Sequence, residues 1–135
     1  MEKNAINRNK RKFKRLRVNL SVVYRIDKPA TLRITIGNRE IRATILDLSE
    51  GGLAVLTNYN IPVSTNLLIK FTLFKVEDED VSFYGPMEIV GEVCYNMPLG
   101  GNEYRLGINF KRIKEGDKAE IINFVKINAM RYPPI

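Results

Sequence analysis

The sequence has no histidine, a single cysteine and no long apolar run, and each shortage removes a class of function. Without histidine, the commonest general base and the commonest metal ligand are gone. With Cys94 as the one thiol, a structural zinc site lacks its ligands and an internal disulfide framework cannot form. A reducing cytoplasm is therefore the expected compartment. No apolar stretch approaches the roughly 20 residues of a membrane helix, and the basic N-terminus lacks the apolar centre of a secretory signal. Carboxylates cluster at Glu77-Asp78-Glu79-Asp80, where consecutive charges lack the alternating ligand spacing of a calcium loop and read as a solvated turn. No cofactor and no metal are expected. Ser49 beside Asp47 has no histidine to activate it, so the chain is read as a binding protein rather than an enzyme.

What is present is enough for one compact domain: 135 residues, 44% of them hydrophobic. Charge is distributed unevenly. Residues 1–17 carry a net +7, equal to the +7 of the whole chain, so residues 18–135 sum to zero. A basic arm on a neutral body is suited to phosphate-bearing partners.

From Val18 the pattern alternates. Val18, Leu20, Val22, Tyr24 and Ile26 share one face of a half-buried strand. Leu32, Ile34 and Ile36 alternate next, then Ile41, Ala43 and Ile45, and the intervening Gly37-Asn38 reads as a hairpin turn. Further strands are expected around Leu53 to Thr57, Leu67 to Leu73, Met87 to Met97 and Tyr104 to Phe110, with a bulge or bend at Gly91. Six to seven short strands with short connections predict an antiparallel β-barrel. Asp117 and Glu120 are spaced as a capping box for a helix over 119–130 that Pro133-Pro134 stop. Its apolar residues, among them Phe124, Ile127 and Met130, surround the axis. One face is therefore expected on the barrel and the other against a second surface: a homodimer partner, a missing domain or a target protein. The expected division is a flexible basic arm over 1–17, a barrel over 18–112, and a helix with its tail over 113–135.

Two motifs carry chemistry. Arg11 and Arg15 form an R-x-x-x-R just before the first strand, and Asp47-Leu48-Ser49-Glu50-Gly51-Gly52 is a D-x-S-x-x-G between two strands. Guanidinium groups pair with phosphate and with the O6/N7 edge of guanine. An ionised aspartate only accepts, which suits the N–H donors of guanine. Each motif alone is an ordinary basic arm or an ordinary turn. Their order, their placement and the barrel pattern together resemble the PilZ domain family, over about residues 8–131. The segment Arg105-Leu106-Gly107-Ile108-Asn109-Phe110 adds to the likeness. The resemblance implies a cytoplasmic receptor for cyclic di-GMP, with outputs in motility or biofilm formation and a downstream protein partner. It implies that Arg11 and Arg15 bind guanine and phosphate, that Asp47 and Ser49 take the base edge, and that Gly52 admits the ligand. Lys10, Gly51 and Arg105 are further candidates, and Tyr95 is placed to line the ligand's outer face. A basic residue at position 10 is associated in the family with a stacked ligand pair, although lysine lacks the planar group that stacks on a base.

The 31 residues between Arg15 and Asp47 are long for the family, an excess the Gly37-Asn38 hairpin is expected to absorb on the far side of the barrel. The trailing helix is similar to that of the flagellar-brake branch, whose members carry an additional N-terminal domain. The chain is thus expected to be either a stand-alone protein or a fragment. Two other readings use the same residues. One is a degenerate PilZ domain that binds only protein, which usually lacks part of the motif pair. The other is a basic-armed barrel for single-stranded nucleic acid, which the neutral body disfavours.

Overall fold

The computed structural model describes residues 15–131, so Lys10 and Arg11 lie outside the described residues. Six antiparallel strands form a closed barrel in the order β1-β2-β3-β6-β5-β4. They are β1 (Leu16–Lys28), β2 (Ile41–Leu48), β3 (Gly52–Thr57), β4 (Asn66–Glu77), β5 (Asp80–Gly100) and β6 (Glu103–Arg112). A short helix, α1 (Ala30–Ile36), lies between β1 and β2, and α2 (Glu115–Arg131) follows β6. Among the described residues, no helix is long and apolar enough to cross a membrane.

Alternation builds the core. Val22, Tyr24 and Ile26 of β1, Leu67, Ile69, Phe71 and Leu73 of β4, and Met87, Ile89 and Val93 of β5 all point inward and are buried. Burying each such side chain contributes about 1.5–3 kcal/mol. The ladder register shifts between Val90 and Gly91, at the glycine where the sequence suggests a bulge. Asp78 and Glu79 both have positive φ, which makes the acidic tetrad a tight turn between β4 and β5.

Two expectations need correction. Leu32, Ile34 and Ile36 lie on α1, not on a strand. Three alternating residues fit either period, because positions 32 and 36 are also one helical turn apart. Leu32 and Ile36 pack against the core, and Ile34 is 85% exposed. The connection at the far end of the barrel is therefore a helix and loop, and β1 pairs with β2 directly from Tyr24↔Ile41. Asp117 does not cap α2. It lies inside the first turn, buried, and accepts a hydrogen bond from the Tyr84 hydroxyl at 2.8 Å. On the same helix Ile121, Phe124 and Val125 form the face that packs on the barrel, and the Phe124 ring meets Phe74 edge-on. Ala119, Asn123 and Lys126 form the exposed line of α2.

Tyr24 is 1% exposed and shares a 2.7 Å hydrogen bond with the Thr57 hydroxyl. Burial pushes its pKa up to about 12. Because the folded state resists ionisation, this contribution is complete below about pH 10 and is lost as pH rises from there to about 12, roughly 2–3 kcal/mol in all. Spectrophotometric titration should show Tyr24 ionising late, and Tyr24→Phe should remove that part of the alkaline loss of stability. An unchanged slope in Tyr24→Phe would exclude this assignment.

Candidate ligand cleft

The start of β1 lies beside the end of β2, with Arg17 opposite Asp47. This register brings Arg15 to the mouth of a cleft of about 240 Å³, whose walls include Asp47, Ser49, Cys94, Tyr95 and Asn109. Asp47 is its chemical centre. The residue is only 8% exposed, and a carboxylate so far out of water has to be compensated. Arg105 Nη2 donates to Asp47 Oδ2 at 2.7 Å, and Arg15 Nη1 stands 3.9 Å from the same oxygen. Oδ1 receives neither contact.

Arg105 is itself held in place. Its Nε donates to the Tyr95 hydroxyl at 3.1 Å. That bond and the Asp47 charge together keep the guanidinium more firmly protonated than usual. The Tyr95 ring lies against the backbone of Gly107, where an added Cβ would fall 1.9 Å from the ring. A chain of contacts thus runs Gly107–Tyr95–Arg105–Asp47 across β6, β5 and β2. Sequence reasoning named Tyr95 and Arg105 as lining residues but missed that they position Asp47. It also missed Gly107, whose place within the family-like segment was the available signal.

The turn holding the second motif is closed on itself. Ser49 donates its backbone N–H at 2.9 Å and its hydroxyl at 3.2 Å to the Gly52 carbonyl, and the Phe110 N–H donates to the Gly51 carbonyl at 2.9 Å. Ser49 oxygen keeps its capacity to accept. Gly52 is required for a reason other than ligand approach: a Cβ there would stand 2.1 Å from the Ile108 carbonyl oxygen on β6. Cys94 faces away from the core. Burial raises its pKa against the opposing charge of Arg15, and the thiol donates to the Gly107 carbonyl at 3.2 Å. Among the described residues, no group of three side chains of metal-ligating type comes together.

The sequence matches the family model described as PilZ domain over residues 9–126. The chain belongs to the PilZ family. A search of curated proteins finds no match. Among solved structures, the PilZ chain is similar to the Bacillus subtilis inhibitor of motility MotI/DgrA, at 16% identity and a TM-score of 0.68, covering 92% of this chain and 53% of that one. It is similar to Escherichia coli YcgR in complex with c-di-GMP, at 13% identity and a TM-score of 0.58, covering 90% of this chain and 46% of that one. It also resembles the separate PilZ domain of Escherichia coli YcgR with c-di-GMP, at 14% identity and a TM-score of 0.52, covering 93% and 98% of the two chains. The chain therefore spans about half the length of MotI/DgrA and of whole YcgR. At these identities the likeness establishes the PilZ fold.

The two glycine contacts differ in kind, and stability measurements should separate them. Gly52→Ala drives a methyl group into backbone, at a cost of about 1–3 kcal/mol or more. Gly107→Ala meets a ring that can swing aside. In urea denaturation, Gly52→Ala should lower the midpoint clearly more than Gly107→Ala does. A neutral Gly52→Ala would contradict the close β3–β6 contact.

Proposed function

We propose that the PilZ chain is a receptor for cyclic di-GMP, bound between its cleft and its basic arm, with no catalytic step. The observation that carries this reading is the nearly buried Asp47 carboxylate, held open to the cleft by Arg105 and flanked by Arg15. An acceptor-only group in a partly dehydrated cleft suits the N1–H and N2–H₂ donors of guanine, and adenine offers no equivalent pair. Arg15, together with Arg11 from the arm, supplies bidentate contacts to phosphate and to the O6/N7 edge. Ser49 adds a small acceptor beside Asp47. Gly51 and Gly52 shape the wall, and Lys10 adds charge toward the phosphates. A cleft of about 240 Å³ is smaller than the roughly 300–1,000 Å³ that encloses a drug-sized ligand. The arm is therefore needed to cover the rest of a dinucleotide.

The output would be a changed position of the arm, read by a protein partner in the cytoplasm and directed to motility or biofilm control. Solved PilZ relatives with cyclic di-GMP bound, and a relative named as an inhibitor of motility, support this direction. Phe124 packs on the barrel, so self-association through α2 would rest on Ile127 and Met130.

Calorimetry with the full chain tests the reading. Cyclic di-GMP should give saturable heat and bind far more tightly than cyclic di-AMP. Arg15→Ala, Asp47→Asn and Arg105→Ala should each weaken binding about tenfold or more, the equivalent of a lost charge-assisted bond of about 1.5–3 kcal/mol. Equal affinity for the two dinucleotides, or undiminished binding by Asp47→Asn, would overturn it.

A further inference from the structure

β4 and β5 are longer than the barrel. β1 pairs with β4 only from Val23↔Lys70 to Lys28↔Asn66, and β5 meets β6 only from Val90↔Arg112 onward. Residues 71–77 and 80–87 therefore pair with each other and with no other described strand, as a two-stranded ribbon projecting from the barrel. Such ribbons are marginal alone and have open hydrogen-bonding edges.

This ribbon also has an apolar face. The cross-strand pairs Phe74↔Phe83 and Val76↔Val81 place four large side chains on one side. Phe83 is 73% exposed and Val81 54%. The ring of Phe74 meets Phe124 at 5.9 Å, so the face runs into a groove between the ribbon and α2 that includes Ile127. The rim is acidic. Glu77, Asp78, Glu79 and Asp80 form the ribbon tip, and Glu120 stands on α2. Lys75 is the local counter-charge, and it is engaged by Glu77 at 2.7 Å.

An apolar floor with an acidic rim calls for a basic segment with apolar side chains. The chain contains one: residues 1–14 carry a net +5 and include Ile6 and Phe13, while the rest of the molecule is close to neutral. The arm has the reach: it leads into β1, and α2, one wall of the groove, touches both β1 and β4. Fourteen residues can reach roughly 46 Å when extended. We propose that, in the absence of ligand, residues 1–14 dock in the groove between the β4–β5 ribbon and α2 of the same chain. Where cyclic di-GMP draws the arm to the cleft, which rests on the function proposed above, the groove is vacated and the ribbon uncovered.

The test uses the full chain with a copper(II)-binding Gly-Ser-His tripeptide placed before Met1, so that Cys94 is untouched. Without ligand, the amide signals of residues 76–83 should broaden when copper is added. Broadening should be relieved in 1 M salt, where the Debye length falls to about 3 Å, and in the double variant Glu79→Lys, Asp80→Lys. That variant should also bind cyclic di-GMP up to about tenfold more tightly, if about nine arms in ten are docked. Absence of broadening at the ribbon would overturn the proposal. Broadening that appears when tagged chain is mixed with untagged, isotope-labelled chain would overturn it in favour of a second copy. Failure of cyclic di-GMP to bind would defeat the receptor reading alone, because the ligand-free measurement stands apart from it.

Discussion

A carboxylate taken out of water is strongly unfavourable unless cations or donors reach it, and Asp47 is reached by Arg105 at 2.7 Å and by Arg15 at 3.9 Å. Those three residues are far apart in sequence. They meet because β1 lies against β2, β2 against β3, and β3 against β6 in one closed ring. The ring in turn depends on close contacts such as Gly52 against the Ile108 carbonyl. Barrel closure and the ion cluster are thus one arrangement. If β3 could not approach β6, Arg105 would lose its position and Asp47 its compensation.

This arrangement sets what a ligand has to offer. Arg105 is held by Tyr95 and bonds one Asp47 oxygen, which orients the carboxylate. Arg15 is further away and more exposed, so it can turn to an incoming phosphate without stranding the buried charge. Under the proposed function, rigid recognition of the base edge and adaptable recognition of the phosphates would reside on different elements. Such preorganisation lowers the cost of ordering groups on binding.

Much of this was legible in the chain. Alternation over five residues in β1 and four in β4 has only one period it can fit, and those strands appear with the expected inward faces. Leu32, Ile34 and Ile36 were too few to distinguish a period of two from one helical turn. Pattern reading stopped the next strand short at Gly85-Pro86. The structure carries β5 through it, because proline is tolerated on an open edge that forms no ladder on that side. Phe124 and Asp117 show a further limit. Periodicity places residues around a helix, but which side meets the barrel is decided by Phe74 and Tyr84, brought in by a distant ribbon. At the cleft, Arg15, Asp47, Ser49 and Gly52 come together as their two motifs imply. The positioning roles of Tyr95 and Gly107 depend on the β5–β6 register, which no local pattern encodes.

The most direct test of the central claim is a titration of isotope-labelled full chain with cyclic di-GMP, followed by amide NMR. Saturable shifts should concentrate at Asp47, Ser49, Gly51, Gly107 and Asn109, with α1 at the far end of the barrel unmoved. Shifts that never saturate, or that centre on α1 and leave the Asp47 cleft unchanged, would contradict it.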